Sequence, residues 1–278
     1  MGLQNKKICF VGSGNMANAI IGGLVQKGFT ASNIVATGPS KVHLEQIKAN
    51  WGVETSGDNA APVQQADVIV LSVKPQVLKQ VCEALSVSLS HQPLIISIAA
   101  GIELKSLSDW LGHDQSIVRC MPNTPAQVLK GASGLISNKL VSEEQKALST
   151  ELFSGIGIVE WLADESQMHS VTALSGSGPA YIFLMIAAME AAAMKQGMAA
   201  GTARKLAAQT VLGAAQMVLD SEVSPSQLKK NVMSPGGTTE RAIQVFEQSD
   251  LSGIVEKAMQ AAADRSEELA EILSGDKS

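Results

Sequence analysis

Apolar residues in the first half of the chain fall in short, nearly unbroken runs. Ile8-Cys9-Phe10-Val11, Asn33-Ile34-Val35-Ala36, Val68-Ile69-Val70-Leu71, Leu94-Ile95-Ile96-Ser97-Ile98 and Ile117-Val118-Arg119-Cys120 follow one another with helical segments between them. Runs that are apolar at successive positions fit strands covered on both faces, and strands separated by helices fit parallel crossovers. The pattern predicts an α/β fold with a doubly wound parallel sheet. Gly134-Leu135-Ile136 and Ile158-Val159-Glu160-Trp161 extend the series, with a helix between them from about Ser142 to Ser154.

After Asp164 the strand pattern ends, and alanine, methionine and leucine recur at helical spacing to the carboxyl end. Two domains are therefore expected, residues 1–163 with the sheet and residues 164–278 all-helical. The helix expected from Pro179 is apolar nearly all round, through Tyr181, Ile182, Phe183, Leu184, Met185, Ile186 and Met189. It reads as a buried helix, since Glu190 interrupts it short of the roughly 20 apolar residues that span a bilayer. So small a helical domain cannot enclose such a cylinder alone, and a second subunit is expected to help cover it.

The chain has 278 residues, 45% of them hydrophobic, and a formal net charge of −5. No basic cluster is interleaved with aromatic residues, which argues against nucleic acid and membrane surfaces as partners. Cys9, Cys82 and Cys120 lie far apart in apolar runs, as reduced core thiols would. His43, His91, His113 and His169 show no paired ligand spacing and read as surface or capping residues, so no metal is expected. Met1 to Lys7 is polar and carries no mark of a secretory leader, which points to the cytoplasm.

Two glycine-rich loops carry the candidate chemistry. Gly12-Ser13-Gly14-Asn15-Met16-Ala17 follows the first strand and opens a helix. There the first glycine permits a tight turn and the second lets backbone approach a pyrophosphate, which predicts dinucleotide binding. At the end of the second strand, Thr37-Gly38-Pro39-Ser40-Lys41 offers hydroxyls and a lysine where an acid would select NAD, so NADPH is favoured over NADH. Ser72-Val73-Lys74-Pro75, Ala99-Ala100-Gly101 and the segment holding Met121 and Asn123 end later strands and would face the same crevice. The second loop, Ser234-Pro235-Gly236-Gly237-Thr238-Thr239, turns into another helix, and its free N–H groups make a cradle for a small carboxylate or phosphate.

GSGNMA, SVKP, SIAAG, RCMPNTPA, LSGSGPAY at 174–181 and MSPGGTTERAI at 233–243 resemble the blocks of the pyrroline-5-carboxylate reductases, in order and over nearly the whole chain. The resemblance implies a Rossmann domain followed by a helical dimerisation domain, and reduction of 1-pyrroline-5-carboxylate to L-proline by NADPH, or less well NADH. It implies that Gly12, Ser13, Gly14, Asn15 and Met16 meet the pyrophosphate. Thr37, Pro39, Ser40 and Asn59 fall near the adenosine ribose, Val73, Lys74 and Ala100 further along, and Asn231 approaches from the helical domain. It also implies substrate contacts at Glu165, Gly237, Thr238 and Thr239, a homodimer, and a pentamer of dimers as a further assembly.

On that reading the carboxylate sits on the Gly237 and Thr238 N–H groups, and Thr239, the catalytic candidate, faces the ring nitrogen. Ser175 and Gly176 either bring backbone close to the ring or let two helices touch. Two alternatives remain. A hydroxyacid dehydrogenase would need a lysine on the helix from Pro179, which has none before Lys195. A non-catalytic nucleotide sensor would have no need of a second anion cradle.

Overall fold

The computed structural model describes residues 2–274. The chain divides into two compact units at Ser177/Gly178 and again at Ala261/Ala262, so the first unit includes the start of the chain and resumes at Ala262. The change from strand to helix near Asp164 comes earlier than the division between units.

The first unit runs β1 (Ile8–Val11), α1 (Asn15–Gln26), β2 (Ile34–Thr37), α2 (Lys41–Trp51), β3 (Glu54–Ser56) and α3 (Ala60–Gln65). It continues with β4 (Val68–Leu71), α4 (Pro75–Ser86), β5 (Leu94–Ser97), α5 (Leu104–Leu111) and β6 (Ser116–Met121). Then come β7 (Gly131–Ser137), α6 (Glu143–Ser154), β8 (Gly157–Trp161) and α7 (Gln167–Val171). The strands form one sheet in the order β3-β2-β1-β4-β5-β6-β7-β8. All neighbours are parallel except β6 and β7, so the last two strands run against the rest.

The apolar runs are strands because both faces are covered. Phe10, Ile34 and Val70 pack with Ile20, Ile21, Leu44, Leu152 and Phe153 on one side. Cys9, Ile69 and Ile95 pack with Leu78, Leu85 and Leu107 on the other. Ser142 caps α6 with its hydroxyl on Gln145 N–H, while Gln145 Oε1 takes the Ser142 N–H in return. One histidine departs from the surface reading. His169 is 9% exposed, with Nδ1 3.0 Å from Ser266 Oγ in the carboxyl-terminal helix.

The second unit holds α8 (Gly178–Lys195), α9 (Ala200–Leu219), α10 (Pro225–Asn231), α11 (Thr238–Gln248) and the first half of α12 (Leu251–Ser274). α8 packs on α9. Arg204 of α9 forks onto Glu190 of α8 through Nε at 3.0 Å and Nη2 at 2.9 Å. The expected burial of α8 is not met within one chain. None of its residues is buried, and Phe183 and Leu184 are 65% and 73% exposed. By length and composition the helical stretch Gln167–Lys195 could cross a membrane, a test that the uncovered face of a self-associating helix passes equally well.

Candidate active site

The sheet order reverses between β1 and β4, the place where open α/β sheets form a crevice at the carboxyl ends of their strands. Register aligns those ends: Val11 lies opposite Thr37 on one side and Leu71 on the other, and Leu71 lies opposite Ser97. Gly12 turns the chain there with φ +111°, and its N–H donates to Thr37 O at 3.0 Å. A Cβ at Gly12 would stand 2.5 Å from Ser72 O, so only glycine lets β1 and β4 deliver their loops side by side. Ser72 fixes the junction by donating its N–H to Val11 O at 2.8 Å and its hydroxyl to Gly12 O at 3.0 Å.

α1 begins at this turn with Gly14 as its N-cap and no side chain across its end. Nothing lies within 4 Å of a Cβ built on Gly14, and the Asn15 and Met16 N–H groups have no partner among the described residues. An open helix end behind an obligate glycine fits the diphosphate of a dinucleotide. Ser13 is nearly buried beneath it.

The strand-end residues divide on burial. Thr37 is fully buried, its hydroxyl 2.5 Å from Asn59 Oδ1 and 3.2 Å from Phe10 O. Ser40 caps α2 by accepting the His43 N–H at 3.4 Å, and Pro39 and Lys41 are exposed beside it. Lys74 is the exposed N-cap of α4 with Pro75 as the first helical residue, and Val73 is half-buried. Ala99 is buried and Ala100 exposed, whereas Gly101 is turned to the carboxyl-terminal helix, its Cβ direction 3.4 Å from Leu273 Cδ1.

Two expected contacts prove to be committed within the first unit. Glu165 Oε1 accepts from Arg119 Nη1 at 2.9 Å and from the Leu104 N–H at 2.8 Å. It thus neutralises a guanidinium that is 3% exposed and closes the start of α5. Asn123, 8% exposed, accepts the Ala132 N–H through Oδ1 and donates through Nδ2 to Ser175 O, each at 2.9 Å. Ser175 and Gly176 are half-buried in a π-helical turn, Thr172–Gly176, and Met121 lies against Gly176.

In the second unit the SPGGTT segment forms the start of α11. Gly236 has φ +71°, and Gly237 is the N-cap with no side-chain cap. Two N–H groups are used internally: Gly237 N–H donates to Ser234 O at 2.9 Å, and Gly236 N–H to Glu240 Oε2 at 2.8 Å. The N–H and hydroxyl groups of Thr238 and Thr239 have no partner among the described residues. The free donors of the cradle therefore begin at Thr238, one residue later than the sequence suggested. Asn231 ends α10 exposed, its Oδ1 taking a bond from Gln227.

Sequence reasoning missed Glu240 and Arg119. The glutamate's third-residue spacing from a helix start was a signal available for it. Arg119 gave none, because its partner stands 46 residues away. Cavities of 430 and 470 Å³ lie elsewhere, lined from the amino-terminal ends of the strands by Lys7, Asn33 and Glu54, and by Asp67, Pro93 and Asp114. They are at the edge of the sheet opposite the crevice.

Comparisons with known proteins bear on the family and the fold. Residues 165–269 match the family described as pyrroline-5-carboxylate reductase dimerisation, and residues 7–101 that described as NADP oxidoreductase coenzyme F420-dependent. A pyrroline-5-carboxylate reductase of Pseudomonas aeruginosa is 49% identical, with 98% of this chain and 99% of the relative covered. The structure of a pyrroline-5-carboxylate reductase from Coxiella burnetii superposes with TM-score 0.92 at 45% identity, covering 95% of this chain and 98% of that one. The Plasmodium falciparum pyrroline carboxylate reductase with NADP bound gives TM-score 0.87 at 32% identity, covering 97% and 100%.

Proposed function

The chain belongs to the pyrroline-5-carboxylate reductase family, and from that premise we propose how its residues reduce 1-pyrroline-5-carboxylate to L-proline. The observation that carries the assignment of roles is the open first turn of α11, where Thr238 and Thr239 present N–H and hydroxyl donors that have no partner among the described residues. A helix start favours an anion, and two adjacent N–H groups suit a carboxylate. The substrate carboxylate is assigned to them. Gly236 and Gly237 shape the turn behind.

A cyclic imine carbon becomes electrophilic when its nitrogen is protonated, so the site needs positioning more than strong acid or base groups. Thr239 Oγ1 can donate to the neutral nitrogen or accept from the protonated one, and thereby holds the ring in one orientation. A reduced pyridine nucleotide, when bound, supplies the hydride. The first turn of α1 takes its diphosphate on the Asn15 and Met16 N–H groups, Asn59 serves the adenosine ribose, and Val73, Lys74 and Ala100 flank the crevice. Asn231, exposed at the end of α10, is assigned to the cofactor as well.

NADPH is the preferred form on this reading, because Ser40 and Lys41 put a helix start and a cation where a 2′-phosphate would fall. Lys41→Glu then lowers the NADPH to NADH preference, and an unchanged ratio removes this turn from selection. A homodimer through α8 and a cytoplasmic setting complete the proposal, the latter supported by three buried free thiols. NADPH oxidation with pyrroline-5-carboxylate, set against simple hydroxy acids in the oxidative direction, tests the activity. Thr239→Val should lower turnover far more than cofactor affinity, and equal losses in both would take Thr239 out of the chemistry.

A further inference from the structure

The segment carrying Ser175 and Gly176 is a π turn rather than an α-helix, wide enough that Ser177 N–H donates to Thr172 O at 2.8 Å. Such turns interrupt the helical ladder and persist where something else holds them, often at functional sites. Here Thr172 Oγ1 bonds Met168 O at 2.8 Å and Ser175 Oγ bonds Val171 O at 3.1 Å, both within the same helical stretch. Among the described residues, the hydrogen bond that reaches the turn from the sheet is Asn123 Nδ2 to Ser175 O.

The other end of the same amide holds Ala132 N–H at the start of β7. An acceptor faces a donor and a donor faces an acceptor, which fixes the amide's orientation without ambiguity. Asn123 stands two residues beyond β6, at the crevice edge, and little of it is left open to a ligand.

We propose that Asn123 is a positioning residue for the imine substrate: its amide bridges β7 to the π turn and sets the register in which Ser175 and Gly176 meet the ring. The proposal rests on the reductase reading above. It moves Asn123 from the cofactor contacts to the support of the substrate side. Asp is isosteric and keeps an acceptor for Ala132 N–H, but it sets a carboxylate oxygen against Ser175 O. Ser removes the reach to Ser175 without adding charge.

The test is steady-state kinetics and NADPH binding of Asn123→Asp and Asn123→Ser in the full chain, with amide hydrogen exchange at Ser177. Expected are a KM for pyrroline-5-carboxylate raised about tenfold or more, an NADPH Kd within about twofold of wild type, and faster Ser177 exchange. If Asn123→Asp does not fold, the same three readouts on Asn123→Ser decide. A parallel rise in NADPH Kd would show a cofactor contact, and a lowered Tm with unchanged KM a merely structural amide; either overturns the proposal. Absence of wild-type turnover on pyrroline-5-carboxylate would overturn the reductase reading along with it, whereas wild-type turnover with an unchanged KM in the variants overturns this proposal alone.

Discussion

Thr37 Oγ1 lies 2.5 Å from Asn59 Oδ1, tying the last residue of β2 to the residue that precedes α3. Asn59 is of a type that usually caps the helix it precedes, yet its side chain makes no cap bond. It is held by the threonine instead, which leaves Nδ2 as the free end of the amide among the described residues. A hydroxyl has one proton to give, and the shorter contact takes it. Thr37→Val keeps the shape and removes the hold. NADPH Kd should rise about tenfold, roughly 1.4 kcal/mol, with KM for pyrroline-5-carboxylate unchanged. A double-mutant cycle with Asn59→Ala should be strongly non-additive, and additive losses would separate the two residues.

Gly12→Ala adds one methyl group where Ser72 O and C stand 2.5 and 2.7 Å away, in a left-handed backbone that disfavours any side chain. The obstacle is backbone, so relief requires β1 and β4 to part. A destabilisation of about 2–4 kcal/mol is expected, together with loss of NADPH binding by fluorescence titration. Retained binding with wild-type Tm would show that the crevice tolerates a wider turn.

The central strands were legible because each is a nearly unbroken apolar run covered on both faces, β1 and β4 at every position and β2 and β5 up to a closing Thr37 and Ser97. β3 was not, since Glu54-Thr55-Ser56 is short and polar, and as an edge strand it pairs with β2 alone. The reversal at β7 was equally hidden, because periodicity reports burial and not strand direction. In the site, polar residues at strand ends looked alike in sequence. Burial separates them: Gly14 and Lys74 are open, while Thr37 and Asn123 spend their polar atoms on the protein. The π turn left no mark either, since TALSG reads as an ordinary stretch between two helices.

Glu165 compensates Arg119, and the two possible roles of the glutamate predict different damage. Removing it strands a guanidinium that is 3% exposed, and the Glu165 side chain, 29% exposed, is partly screened. Glu165→Ala should cost about 2–3 kcal/mol of stability by denaturant unfolding, with Glu165→Gln milder because its oxygen still accepts from Leu104 N–H. A substrate contact would instead raise KM at unchanged stability.

The thiols set an alkaline limit. Burial pushes Cys9 and Cys82 up to about 12 from an ordinary value of 9.0, and Cys120 is also raised by burial. Between those values the folded chain keeps protons that the unfolded chain releases, so stability falls as pH rises above 9. Unfolding midpoints should be insensitive to thiol ionisation at pH 8 and decline between pH 9 and 11, a decline that a Cys9→Ala, Cys82→Ala variant reduces. At pH 8 the native chain should resist a thiol reagent that labels the unfolded chain quickly.

Leu184 tests what covers α8. One face of the helix packs on α9 and the other is open in the single chain, Phe183 and Leu184 being its most open large side chains, and the dimerisation family matches across it. A lipid-facing helix and a subunit-facing helix answer a buried charge differently. Leu184→Asp should leave the sheet unit folded and convert the protein to monomer by light scattering at micromolar concentration, with activity lost in proportion to dimer. The wild type should scatter as a dimer or a multiple of it without detergent. Detergent-dependent solubility of the wild type would mean that lipid covers this face. Loss of activity without loss of mass in the variant would place Leu184 near the site and away from the interface.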